Sequence, residues 1–269
     1  MSDTWRPPEG STTTEAEARA AVAGPFGVES ARLTISCCLP LFWFRPGDPT
    51  GAIMNSGTVT LARPNERTFG ITAAHVVRGY QSDLERHALG ALLGDADIGD
   101  LASRIIDVSD DLDLATIDLS DGLLERLGPG WSVFPLSLWP PQPPMEDRGI
   151  TMGGFPASLR QVMGPGRVAF GPWTVLSIAR GVTDDQITWK FAKEYLVSQP
   201  ANPQSGAARF ELGGISGGPL LRVGESAGGL VGFRLSGIIS QARPEYEFVV
   251  AKRADFIRAD GTIMPAPPR

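Results

Sequence analysis

The chain has 269 residues, with 24 Lys and Arg against 30 Asp and Glu and a formal net charge of −6. That balance, with no run of Lys or Arg, speaks against a general nucleic-acid binder, while the length suffices for one large or two small domains with a real core. Gly (32) and Pro (23) are both abundant, which favours many short elements joined by turns over a few long helices.

Residues 1–30 are small, polar and punctuated by Pro and Gly, with a short helix expected over 15–23. Strand-like runs follow at 32–44, 52–61 and 68–73, separated by turn residues. Residues 81–93 suit helix or strand, and 112–119 read as a further strand. Trp139-Pro140-Pro141-Gln142-Pro143-Pro144 sustains neither helix nor central strand. It reads as an extended connector, with a proline-rich ligand for a partner domain as the alternative. Strands resume at 149–153, 167–180, 186–197, 219–223, 230–240 and 247–251, and 252–259 forms a short amphipathic helix before a polar tail. Strands never alternate with long helices, so a doubly wound parallel sheet is excluded. Two groups of short strands around a Pro-rich connector fit two antiparallel β-barrels side by side.

The only cysteines, Cys37 and Cys38, are adjacent. Neighbours in a strand point to opposite faces, so the pair cannot staple distant segments, and buried free thiols are expected. Residues 1–24 carry Glu9, Glu15 and Glu17 and no continuous apolar run, unlike a signal peptide. The apolar stretch 33–44 is interrupted by Pro40 and too short to span a bilayer. A soluble protein of a reducing, cytoplasmic compartment is the expectation, without membrane or nucleic-acid partners.

Three short segments carry chemistry. Gly214-Ile215-Ser216-Gly217-Gly218-Pro219 flanks a serine with glycines, leaving backbone N–H groups free to face an oxygen atom. A serine hydroxyl is a poor nucleophile near neutral pH and needs a base within hydrogen-bond reach. Imidazole suits that task, because its unperturbed pKa of about 6.5 lets it take and return a proton. Of the two histidines, His75 ends the apolar-small run Phe69-Gly70-Ile71-Thr72-Ala73-Ala74, expected to bury the strand end and fix the ring, whereas His87 sits in the charged stretch Asp83-Leu84-Glu85-Arg86-His87 and reads as surface. Between base and nucleophile, Asp111-Leu112-Asp113-Leu114-Ala115 offers a carboxylate to orient the ring. In a strand Asp113, Ala115 and Ile117 share a face, so Asp113 begins an otherwise apolar one, while Asp110 and Asp111 cap or flank it. The pattern G-x-S-x-G also belongs to α/β-hydrolases, but there the histidine follows the serine, and none does here.

These three segments, in the order His, Asp, Ser, resemble trypsin-like (chymotrypsin-fold) serine proteases, in particular intracellular bacterial-type members without zymogen activation. The resemblance implies two antiparallel six-stranded barrels with the active site in the cleft between them and a short C-terminal helix. It divides the chain into an N-terminal extension (1–30), a first barrel (31–130), a connector (131–147) and a second barrel (148–262). It assigns His75, Asp113 and Ser216 as a catalytic triad and the amides of Gly214 and Ser216 as the oxyanion hole. Gly153-Gly154-Phe155-Pro156 looks like an early turn of the second barrel, and the run from Ser236 to Ala242 like the segment that pairs with an extended polypeptide substrate through Ser240, Gln241 and Ala242. Phe210 then lies at the base of the primary pocket, with Glu211, Leu212 and Gly213 along its wall. No cofactor or metal is called for.

Two departures matter. Digestive members of the family carry an aspartate just before the serine, which pairs with a newly cut N-terminus; here that residue is Ile215. The oxyanion turn is therefore expected to be ordered by other means, or by a regulatory protein partner or substrate. Ile239 stands where glutamate-specific relatives carry a histidine, and no aspartate marks a Lys/Arg pocket, so an apolar or small residue before the scissile bond is expected. A catalytically idle pair of barrels used as a protein-binding module is the competing function.

Overall fold

A computed structural model of the chain describes residues 20–47, 53–64, 66–120, 122–127, 131–135, 139–164, 167–190, 212–225, 231–243 and 248–267. The fold is mostly β. It opens with helix α1 (Pro25–Ser36), whose Pro25 stands in the first turn, where its missing N–H costs nothing. The buried face of α1 is small and polar (Gly27, Ser30, Ala31, Thr34). Its hydroxyls are satisfied within the helix, Ser30 donating to the Phe26 carbonyl and Thr34 to that of Ser30. The strand expected from residue 32 thus begins only after this helix. Cys37 caps α1 rather than lying in a strand, and both buried thiols donate to the Thr34 carbonyl. Burial raises the pKa of both, so they are inert small side chains.

Strands β1 (Cys38–Phe44), β2 (Ile53–Arg63) and β3 (Phe69–Thr72) follow. Helix α2 (Ala74–Leu84) comes directly after β3. Then come β4 (Gly90–Leu93), β5 (Ala96–Asp97), β6 (Ile105–Ser109), β7 (Leu114–Asp118), the short helix α3 (Leu123–Arg126) and β8 (Phe134–Pro135). The strands form one sheet in the order β5-β4-β1-β2-β3-β7-β6, with β8 added parallel to β2. Leu39, Leu41 and Trp43 of β1 and Val59 and Leu61 of β2 fill its core at alternate positions. α2 lays Tyr80 edge-on against Trp43, 5.7 Å between centroids.

The 139–144 connector forms neither helix nor strand; the Gln142 carbonyl accepts from the Ser236 hydroxyl and Trp139 meets Phe69 edge-on. A second sheet is built from β9 (Gly149–Gly154), β12 (Trp173–Ile178), β13 (Gly181–Val182), β14 (Gln186–Lys190), β15 (Pro219–Glu225), β16 (Val231–Arg243) and β17 (Phe248–Arg253), in the order β12-β9-β15-β16-β17-β14-β13. A separate hairpin pairs β10 (Arg160–Gly164) with β11 (Arg167–Phe170), splitting in two the single strand expected at 167–180. In place of two closed six-stranded barrels, the described residues form open sheets of eight and seven strands. In place of a C-terminal helix over 252–259, β17 runs to Arg253 and a single 3-10 turn (Ala254–Phe256) follows. Lys252 and Arg253 are held there by Asp185 and Asp255, and Ile257 bridges back to Ile263.

One core lies under each sheet, and a third cluster joins them, bringing Phe69, Ile71, Leu112 and Leu114 against Leu221, Leu235, Ile238 and Ile257. At about 1.5–3 kcal/mol for each large side chain fully buried, this apolar seam fixes the two sheets against one another. The candidate site lies across it. Among the described residues no helix is long and apolar enough to cross a membrane.

Candidate active site

His75 is not at a strand end but in the first turn of α2, after the extended cap residue Ala73, which offers no side-chain cap. The cap comes from across the sheet. Asp113 Oδ1 accepts the His75 backbone N–H at 3.0 Å, satisfying one of the amides that every helix start leaves unpaired. The same carboxylate meets the ring, with His75 Nδ1 2.9 Å from Oδ2 and 3.1 Å from Oδ1. Asp113 itself does not begin strand β7. It closes the turn at 110–113 with φ +48° and its N–H on the Asp110 carbonyl. Asp and Asn tolerate this left-handed region better than other non-glycine residues. The Ser240 hydroxyl donates to Asp113 Oδ2 as well. Burial would raise the Asp113 pKa, but the bonds from His75 and Ser240 outweigh it and hold the carboxyl below its ordinary value. The ring is half exposed rather than buried. Asp110 and Asp111 are exposed, Asp110 paired with Arg78 of α2. His87 lies on the surface, accepting from Arg45.

Ser216 occupies a tight turn whose carbonyls are all engaged. From residue 213 to 218 they accept, in turn, from Ala157 N–H (2.7 Å), Thr58 Oγ1 (2.9 Å), Gly218 N–H (2.9 Å), Thr58 N–H (2.8 Å), Thr60 Oγ1 (2.8 Å) and Ile239 N–H (2.8 Å). The amides of Ile215, Gly217 and Gly218 are likewise committed, to Leu212, Ile239 and Ile215. Those of Gly214 and Ser216 have no acceptor among the described residues. In a trans peptide the C=O and N–H point opposite ways, so the bonds to the Gly213 and Ile215 carbonyls turn these two N–H groups away from Ala157 and Gly218. Gly214 and Gly217 have φ +98° and +94°. A Cβ on Gly217 would stand 1.8 Å from the Thr58 carbonyl and 2.3 Å from Thr72 Oγ1. Gly217→Ala should therefore lose more than about 1 kcal/mol of stability, read as a lowered denaturation midpoint. Ile215 is fully buried in the second core, so apolar packing anchors the position where an aspartate was not found.

His75, Asp113 and Ser216 line one cleft of about 720 Å³ with Leu212, Gly213, Ser240, Gln241 and Ala242. Phe210 and Glu211 lie outside the described residues. The Ser216 hydroxyl donates to the Ser240 carbonyl at 3.1 Å rather than to the imidazole. Beyond Ile238, β15 no longer pairs with β16, while β17 pairs with Gln241 and Ala242 past a bulge at Ser240, and all three residues line the cleft. Among the described residues no group of three or more His, Cys, Asp or Glu is placed to hold a metal. Two roles were not read from the sequence: the Ser240 hydroxyl on Asp113, and the bonds from Thr58 and Thr60 to the turn. Alternation of Thr58, Val59, Thr60 and Leu61 marks two faces of β2, but it reads as solvent-facing polar residues, whereas both threonines are fully buried.

No family model and no curated protein matches the chain. Similar solved structures include a Glu endopeptidase in complex with MPD, 13% identical, covering 80% of this chain and 84% of that one at a TM-score of 0.41. Another is a catalytically inactive tobacco etch virus protease complexed with substrate, 15% identical, covering 82% and 79% at a TM-score of 0.42.

Proposed function

We propose that the chain is a serine endopeptidase that cleaves polypeptides through an acyl-enzyme. The observation that carries the reading is the combination, in one cleft, of a carboxylate-oriented imidazole with a serine whose own amide and that of Gly214 lack acceptors. Asp113 keeps the proton on Nδ1, so Nε2 presents a lone pair to take the Ser216 proton. Rotation of the hydroxyl from the Ser240 carbonyl toward the ring precedes attack; such bonds are commonly unaligned until substrate is bound. Oγ attacks the scissile carbonyl, and the oxyanion formed is stabilised by the two N–H groups. One such donor is worth roughly 2.7–4 kcal/mol in a comparable site. The imidazolium then protonates the leaving amine, and water repeats the sequence on the ester. An extended substrate pairs along residues 240–242, which line the cleft.

The same hydroxyl geometry favours a second reading, a folded module that binds polypeptide without cutting it. A fluorophosphonate probe separates the two. The expected result is a covalent adduct on Ser216 that disappears in His75→Ala. A folded protein that never labels overturns the reading for the isolated chain, and labelling that appears only when a partner is added identifies a gated enzyme.

A further inference from the structure

We infer that Thr58 is the positioning residue that holds the oxyanion-binding amides in place, in the role that no aspartate fills before Ser216. The inference rests on the peptidase reading above and deepens it. Thr58 lies on β2, in the first sheet, yet its polar groups converge on the nucleophile turn of the second. Its Oγ1 donates to the Gly214 carbonyl at 2.9 Å and accepts the Phe155 N–H at 3.0 Å, while its own N–H donates to the Ser216 carbonyl at 2.8 Å. The residue is fully buried, so water cannot replace any of these partners.

The placement is specific. Gly214 and Ser216 own the two unengaged amides, and Thr58 ties down the carbonyl of each of these residues. At Gly214, with no side chain and φ +98°, rotation about the backbone is otherwise cheap. The hydroxyl thus fixes the peptide unit after Gly214, and the Ala157 amide fixes the one before it through the Gly213 carbonyl at 2.7 Å. Phe155 and Ala157 belong to one short segment, so the hydroxyl that accepts from Phe155 also locates the strand end that delivers Ala157. Removing it frees the Gly214–Ile215 peptide and loosens the Phe155–Ala157 segment, so that the Gly213–Gly214 peptide can turn its carbonyl into the space meant for the oxyanion. Thr60, which bonds the Gly217 carbonyl, is an internal control: it is equally buried and its hydroxyl donates to the same turn, once where that of Thr58 makes two bonds, but its partner carries no unengaged amide.

The test compares Thr58→Val, Thr58→Ser and Thr60→Val for the rate of fluorophosphonate acylation, for kcat and KM on a peptide substrate, and by crystal structure. Thr58→Val is expected to slow acylation and lower kcat by about 100- to 1,000-fold, with KM within about threefold. Thr58→Ser should recover most of the rate, and Thr60→Val should cost less than about tenfold, since the carbonyl it releases belongs to a residue whose amide is engaged. Where Thr58→Val does not fold, Thr58→Ala takes its place. A Thr58→Val protein as reactive as the parent, or a Thr60→Val protein as slow as Thr58→Val, overturns the inference. If the parent itself does not label, the peptidase reading fails and the crystal structures decide: a Gly213–Gly214 peptide unmoved in Thr58→Val overturns the role of Thr58, and a turned one sustains it.

Discussion

Replacing Ser216 by Ala should lower peptide turnover by about a million-fold, and His75→Ala by a similar factor. At about 1.36 kcal/mol per tenfold, that is about 8 kcal/mol of transition-state stabilisation. The loss is expected to be non-additive: the double variant should be no slower than either single one, because a serine without its base and a base without its serine are equally idle. In subtilisin, loss of either residue alone costs about as much as loss of the whole triad. Stability should hardly move. Among the described residues the Ser216 hydroxyl makes a single hydrogen bond, to the Ser240 carbonyl, at a partly buried position, and such a bond contributes about 1 kcal/mol. Hydrolysis of a mixture of extended peptides, read by mass spectrometry beside a thermal melt, checks both. Retention of turnover within tenfold in Ser216→Ala would remove Ser216 as nucleophile.

The candidate residues were legible because each sits in a short local pattern. Glycines on both sides of Ser216 announce a turn with free amides, and a histidine after a small apolar run stands apart from His87 in its charged stretch, although Asp113 and not burial at a strand end holds the ring. Strand existence was legible for the same reason: strand-favouring runs between turn residues, as at 52–61 and 149–153, are visible without any partner. What surrounds these residues was not. α1 packs on β9 and β12 of the second sheet through Thr34, whose hydroxyl lies 3.0 Å from that of Thr151. Its small polar face lacks the apolar stripe by which an amphipathic helix is recognised. α2 starts without a capping side chain of its own, since the cap, Asp113, arrives from 38 residues away. The bonds from Thr58 and Thr60 to the 213–218 turn span 156 and 157 residues. Periodicity reports which face of a strand is polar and cannot say whether water or a distant turn satisfies it. The left-handed backbone at Asp113 was likewise hidden, because Leu112, Leu114 and Ala115 continue a strand-like rhythm through the turn.

Asp113→Asn tests that last position most sharply. Turnover should fall by about ten-thousand-fold with the fold retained. Asn tolerates the left-handed backbone nearly as well as Asp, and its Oδ1 can still accept the His75 backbone N–H that caps α2. What it cannot do is accept at both positions, because the oxygen that faces Nδ1 and the Ser240 hydroxyl becomes an NH2 donor. The carboxylate takes both the amide and the Nδ1 proton; in the variant an NH2 group faces Nδ1 and drives the ring proton to Nε2. The nitrogen that must receive the Ser216 proton is then already occupied. A 15N spectrum of the imidazole should show the tautomer exchanged, which a loosened active site alone would not produce. Stability supplies an independent check on sign. The pKa of Asp113 is lowered in the folded chain, against its burial, by the bonds from His75 and Ser240. The carboxylate therefore contributes stability that is fully present above the unfolded value, about 3.9, and is lost as pH falls through the lower folded value. The parent should outlast Asp113→Asn at pH 6, and that advantage should shrink below about pH 4 as the carboxylate is protonated. A variant that keeps its activity within tenfold, or a stability difference that grows on acidification, would mean that Asp113 caps the helix and does nothing for the ring.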